Sequence, residues 1–167
     1  SVICIDDHTY PEMLKETKGA PKLLYVRGKT SALEKPGIAL VGSRNASRAA
    51  CELAGRMASD LAEAGFNVVS GFATGIDVNA HLGAVKKGRT TAVLGCGFNH
   101  FSSSAHRRYE QKVLENGCII TELMADVHPH AMHFPKRNRI ISGLSYGVVV
   151  VEASARSGSL ITARLAG

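Results

Sequence analysis

The chain has 167 residues, 45% hydrophobic and 20% charged, and it carries no internal repeat. That suits one domain with a real core and excludes a disordered chain or a membrane-spanning one. Lys+Arg 20 against Asp+Glu 14 gives a net charge of +6.

The first ~35 residues differ from the rest. Asp6-Asp7-His8-Thr9-Tyr10-Pro11 is turn-like, and Leu23-Leu24-Tyr25-Val26 has the composition of an edge strand. Five β-branched runs follow: Ile38–Val41, Asn67–Ser70, Thr90–Leu94, Cys118–Thr121 and Gly147–Val151. They are continuously apolar rather than alternating, the pattern of parallel strands covered on both faces. Helical patterns separate them. Ala49, Leu53, Met57 and Leu61, flanked by Ala50, Ala54, Ala58 and Ala62, form one apolar face, and Gly65 stands where a helix end favours positive φ. A second helix runs from Asp77, as cap, to Lys86-Lys87 and Gly88; a third from about Ala105 to Glu115; a fourth from Pro135 to about Tyr146; a fifth from Ser157 onward. Five strand–helix alternations predict an α/β fold with a doubly wound, mostly parallel sheet and helices on both faces. The expected organisation is a segment over residues 1–35 packed on a core domain over 36–167.

Ser1 opens no charged-then-apolar signal segment, and the sequence stops within the fifth helical pattern, so a fragment of a longer protein is expected. Cys4, Cys51, Cys96 and Cys118 form no C-x-x-C pair, which argues against zinc and a disulfide framework and fits a reducing cytosol. No metal or cofactor is implied.

Ligands of such sheets bind beyond the carboxyl ends of the strands. The loops there read Gly42-Ser43-Arg44-Asn45, Gly71-Phe72-Ala73-Thr74-Gly75, Gly95-Cys96-Gly97, Glu122-Leu123-Met124 and Glu152 to Ser159. Four of them carry glycine or small hydroxyl residues, which let an anion approach backbone N–H groups. Gly95-Cys96-Gly97-Phe98-Asn99-His100 fails the dinucleotide pattern at its sixth position, and no G-K-[ST] exists for a Walker-type NTPase. The basic excess is clustered. Lys86 to Lys112 holds six basic residues and one acid, Glu110; Asp126 to the end holds five against two. A polyanion partner is the corresponding expectation. Phe134-Pro135-Lys136-Arg137-Asn138-Arg139 concentrates it: proline at a first helical position puts three cations at the positive end of a helix, where an external anion would balance them.

Taken together, Val41-Gly42-Ser43-Arg44, Ser70 to Asp77 with Ala80-His81, Thr91 to Gly95, Phe134 to Ile141, and Glu152 with Ser157 to Ala163 resemble the DNA-processing protein A (DprA/Smf) family, in order and over almost the whole chain. Tyr10-Pro11 and Leu24 to Gly28 fit the family's leading segment. The resemblance implies an extended Rossmann-like fold that binds single-stranded DNA, protects incoming strands in natural transformation, helps load the RecA recombinase, and forms a homodimer in the cytoplasm. It implies a DNA-binding pocket of Gly42, Ser43, Arg44, Lys136, Arg137, Asn138 and Arg139, to which Phe134 and the Ser157-Gly158-Ser159 turn are added. Ala49-Ala50 and Phe101-Ser102 depart from the family's usual tyrosine-glycine and tyrosine-proline pairs.

Other constellations carry less. Asp77 and His81 share a helix face but lack a third ligand, so cap and packing fit better than metal or acid/base work. The loop with His128, His130 and His133 suits a solvated segment. Phe134 is the first choice for stacking on a base, with a buried anchor as the alternative, and Asn138 either orients the turn or reaches a phosphate or base edge. Glu122 and Glu152 both end strands, which feeds the competing readings of a nucleotide-binding protein or a nucleotide phosphoribohydrolase-like enzyme. The glutamate segment of those hydrolases is absent, no nucleophile–base pair is legible, and no catalytic activity is expected.

Overall fold

A computed structural model describes residues 1–101 and 107–167. Its strands are β1 (Val2–Cys4), β2 (Leu23–Gly28), β3 (Gly37–Gly42), β4 (Asn67–Ser70), β5 (Arg89–Val93), β6 (Gly117–Thr121) and β7 (Ser145–Val151). Its helices are α1 (Glu12–Lys15), α2 (Arg48–Glu63), α3 (Ile76–Ala84), α4 (Phe98–Phe101), α5 (Arg107–Asn116), α6 (His133–Gly143) and α7 (Gly158–Ala166), with a 3-10 turn over Thr30–Glu34. The expected third-helix start near Ala105, and Ser102, lie outside the described residues.

One seven-stranded sheet has the order β1-β2-β6-β5-β4-β3-β7. The five expected strands are the five parallel ones. Leu23–Val26 is not an edge strand. β2 bonds antiparallel to β6 on one side and to β1 on the other, and β1 takes the edge. β1 is only three residues long, too short for its alternation to stand out, whereas Leu24 and Val26 are buried as a strand interior requires. The leading segment therefore belongs to the same sheet as the core.

Strand order reverses at β3. β4, β5 and β6 succeed it on one side, and β7 returns to its other side, so the switch point lies between β3 and β7. Helices α2, α3 and α5 cover one face, packed on Leu40, Val68, Ala92 and Ile119. Helices α1, α6 and α7 lie on the other, where Ile140 and Ile141 of α6 pack over Val41, Val69 and Ile120.

The helices start and stop for local reasons, some of them unexpected. Ser47 caps α2, its Oγ accepting from the Ala50 N–H at 3.2 Å, and Gly65 follows it at φ +97 as expected. In α2 the buried stripe is Ala50, Ala54, Ala58 and Ala62, while Leu53 is exposed. Small residues face inward because α2 and α3 pack backbone to backbone: a Cβ on Gly83 would collide with the Gly55 carbonyl. Asp77 is not the cap of α3; Gly75, at φ +80, takes that position. α3 also ends at Ala84, and looser turns carry the chain to Gly88. α6 begins at His133, so Pro135 is its third residue rather than its first, and β7 begins at Ser145.

Candidate nucleic-acid interface

The switch point forms a cavity of about 320 Å³ at the carboxyl ends of β3 and β7. Three backbone segments meet there: the β3–α2 turn from Gly42 to Asn45, the start of α6, and the start of α7. Gly42 is required by crowding, since a Cβ there would strike the Val151 carbonyl and the Ile76 side chain. Gly75 lets the β4–α3 loop back onto Ser43, whose carbonyl accepts from the Ile76 N–H at 3.3 Å. A neighbouring cavity of about 350 Å³ lies over β4 and β5, with Arg44, Ala73, Phe134 and Arg137 as common wall.

Nine of the eleven residues expected at the site line the first cavity: Gly42, Ser43, Arg44, Phe134, Arg137, Asn138, Ser157, Gly158 and Ser159. They do different things. Arg44 is exposed, sits 5.2 Å from the centre of the Phe134 ring, and has no carboxylate partner among the described residues. Ser157 precedes α7 without making a side-chain cap bond, its Oγ donating instead to Ser159 Oγ at 3.3 Å. The first N–H groups of α7 thus stand uncapped by a side chain at the cavity wall.

Arg137 corrects the expectation of an external anion. It is 6% exposed, its Nη1 donates to the carbonyls of Gly71 (2.7 Å) and Val93, and its Nε donates to Asn138 Oδ1 at 3.1 Å. Its charge is answered from within by Asp77. That buried carboxylate accepts the N–H groups of Gly71 (3.1 Å) and Ala73 (3.3 Å), tying down the β4–α3 loop. Burial raises the Asp77 pKa, against the pull of Arg137, and burial lowers that of Arg137 to about 10, against the pull of Asp77 and aided by repulsion from Arg44. Gly71 sits between the two groups: a Cβ there would lie 2.8 Å from Arg137 Nη1 and 2.8 Å from Asp77 Oδ2.

Lys136 and Arg139 are not part of the cavity wall. Lys136 is exposed at the start of α6. Arg139 grips Glu122 with both amino groups, at 2.8 and 2.7 Å, and donates to the Gly19 carbonyl at 3.0 Å. Of the three cations expected to await an outside anion, two are therefore balanced internally. Asn138 orients the backbone: its Oδ1 holds Arg137, and its Nδ2 lies 3.4 Å from the Gly158 carbonyl, joining α6 to α7.

Sequence reasoning missed Asp77 as counter-ion of the site, and also Asn45 and Thr162 in its wall. Asp77 carried a signal, an acid just behind a glycine-rich loop, but its cationic partner is remote in the chain. His81 lies behind it, fully buried. Thr90 donates its hydroxyl proton to the Val68 carbonyl at 2.7 Å, so the 2.6 Å contact from His81 Nδ1 to Thr90 Oγ1 is donated by the imidazole. Nε2 is then an unprotonated, buried acceptor without a hydrogen-bond partner, and burial holds the pKa at about 3.

The strand-end carboxylates are engaged too. Glu152, at φ +52, accepts from Ser47 N–H (2.8 Å) and Oγ (2.7 Å), and those bonds lower its pKa. Among the described residues no group of three or more His, Cys, Asp or Glu is placed to hold a metal ion. No helix among them is long and apolar enough to cross a membrane.

The family model for DNA recombination-mediator protein A matches residues 1–167. Protein Smf of Escherichia coli is 44% identical over 167 residues, 99% of this chain and 45% of that protein. DNA processing protein DprA of Streptococcus pneumoniae is 40% identical over 157 residues, 93% of this chain and 55% of that protein. The chain thus spans about half the length of the curated relatives it matches. The X-ray structure of Streptococcus pneumoniae DprA superposes with a TM-score of 0.92 at 38% identity, covering 99% of this chain and 59% of that one. Helicobacter pylori DprA, whose structure addresses its single-stranded DNA binding mode, superposes at 0.88 with 30% identity, covering 99% and 76%. A molybdenum cofactor carrier protein from Chlamydomonas reinhardtii shares only the fold, at a TM-score of 0.54 and 18% identity over 79% of this chain and 70% of that one. The chain belongs to the DNA recombination-mediator protein A (DprA/Smf) family, on a mostly parallel Rossmann-like sheet.

Proposed function

We propose that this chain binds single-stranded DNA, without sequence preference, along the carboxyl edge of its sheet. The observation that carries the reading is Arg44: a solvent-facing guanidinium above the Phe134 ring, beside a buried arginine that repels it and a helix start without a side-chain cap. A phosphate would relieve that crowding, and the guanidinium fork grips phosphate in two places. Phe134 carries the Arg44 guanidinium over its ring, and exposed Lys136, next to Pro135 of the cavity wall, adds a second phosphate contact. The relatives support the same reading, as does single-strand binding by the Helicobacter pylori protein.

By the same reading this site serves natural transformation in the cytosol, where a homodimer protects incoming strands and helps load RecA. Free Cys4, Cys51, Cys96 and Cys118 suit that compartment. The chain acts by binding and not by turnover: Ser47 donates to the Glu152 carboxylate and lowers its pKa, and both Glu122 oxygens are taken by Arg139, so neither carboxylate is open to a substrate.

Fluorescence titrations with single strands, duplex of equal length and mononucleotides test this. Single strands should bind most tightly, with a log–log salt slope of about −0.7 per phosphate contacted. Salt-independent binding, a preference for duplex, or nucleotide hydrolysis lost on Glu152→Gln would each replace it with another function.

A further inference from the structure

The cleft leaves one basic cluster unused. Between Lys86 and Lys112 the only acid is Glu110, and the fold takes it off the surface: it is 8% exposed and its carboxylate holds Arg27. The cations stay outside. Arg107, Arg108 and Lys112 are exposed on α5, and Lys86 and Lys87 are exposed in the turn before β5. Arg108 and Lys112, four residues apart, share a side of α5. Asn116, one turn further, donates to the Val85 carbonyl at 3.0 Å, which fastens the end of α5 to the turn that carries Lys86. The Arg108 guanidinium lies 4.6 Å from the centre of the Tyr109 ring and has no carboxylate partner among the described residues. Two exposed carboxylates border the strip: Glu63 faces Lys87 at 3.5 Å, and Glu115 lies on α5. Cations remain in excess.

The strip also begins at the same end of the sheet as the cleft, because α5 joins two parallel strands, β5 and β6. The cavity over β4 and β5 reaches Phe101 at the end of α4, and α5 begins at Arg107. From there α5 runs about 15 Å back toward the opposite edge of the sheet.

We propose that the α5 face, with Arg108, Lys112 and Lys86, is a second phosphate track that carries the sugar–phosphate backbone of a single strand out of the cleft. The proposal rests on the single-strand reading of the cleft. It assigns the face to nucleic acid rather than to an acidic protein, because the arginine fork of Arg108 beside an aromatic ring is suited to phosphate.

The test compares oligothymidylates of about 6 and about 30 nucleotides, the first sized to fill the cleft alone. In the Arg108→Glu/Lys112→Glu/Lys86→Glu variant the short strand should bind as to the parent. The long strand should bind more weakly, with a salt slope smaller by about 2, the share of three phosphates. Long-strand binding equal to the parent overturns the proposal. So does an unchanged long strand accompanied by lost binding of a polyglutamate peptide, which would make the face a protein site. If charge reversal lowers the melting temperature, Arg108→Gln/Lys112→Gln gives the same reading with a slope change of about 1.4. Arg44→Ala separates the two sites. Its short-strand binding should fall; if that is unchanged the cleft reading fails, whereas the difference between short and long strands judges the α5 face alone.

Discussion

The start of α6 and the β3–α2 turn both bring cations to the same end of the sheet, and the fold treats them in opposite ways. In α6, Arg137 is sealed among two carbonyls and an amide with Asp77 as counter-charge, and Arg139 is clamped on Glu122. In the turn, Arg44 has no carboxylate partner among the described residues and stands in solvent. An arginine-rich segment is therefore not by itself a binding surface. Here buried Arg137 forms part of the cavity wall, Arg139 lies outside it, and Arg44 lines the same cavity while exposed to solvent.

The comparison breaks most readily at Arg137. Arg137→Ala leaves Asp77 buried without its counter-charge and strands the Gly71 and Val93 carbonyls, for a loss of about 3–5 kcal/mol in urea unfolding. A variant as stable as the parent would show that Arg137 is held for the ligand instead. Arg139→Ala should remove about 1–2 kcal/mol, since its partner Glu122 is only 15% exposed in the side chain, while binding by the folded fraction stays at the parent level. Arg44→Ala reverses the pattern: stability within about 0.5 kcal/mol of the parent, and a salt slope shallower by about 0.7. Lys136→Ala follows with the smallest effect, a uniform weakening across sequences without a change in melting. If Arg44→Ala and Lys136→Ala both melt and bind like the parent, the strand does not cross this edge.

Acid probes the sealed side of the comparison. The His81 pKa is held at about 3, below its unfolded value, so the unfolded chain takes up a proton first as pH falls. Stability from this group is complete above pH 6.5 and declines by up to about 1.4 kcal/mol per unit from there toward 3. The raised pKa of Asp77 acts the other way, its carboxylate being less costly to bury once protonated, and so offsets part of that decline. Proton NMR gives the direct check: the His81 ring should show no titration between pH 8 and 4, and a midpoint near 6.5 would contradict its burial as a neutral acceptor.

Much of this was visible in the chain itself. The five parallel strands announce themselves because burial on both faces demands unbroken runs such as Cys118-Ile119-Ile120. The glycine-lined loops were legible for a related reason: Gly42 and Gly75 sit where backbones nearly touch. What stayed hidden was direction. Nothing in Lys136-Arg137-Asn138-Arg139 tells which side chain points inward, because the partners, Asp77 for Arg137 and Glu122 for Arg139, come from other loops. The place of β2 was hidden likewise, since pairing with β6 is decided across the fold and not along it.

That placement has a consequence for how the molecule assembles. Val26, near the start of the chain, pairs with Ile120, and β3 must wait for β7 before its second neighbour exists. Emerging from a ribosome, the leading strands would have no sheet to join until β6 is made, and Leu24 and Val26, both buried in the finished fold, would meanwhile face water. Long-range closure of this kind slows folding and lengthens exposure to aggregation. Residues 1–35 are thus made before every strand of the parallel sheet they join, and are secured to it only once β6 exists.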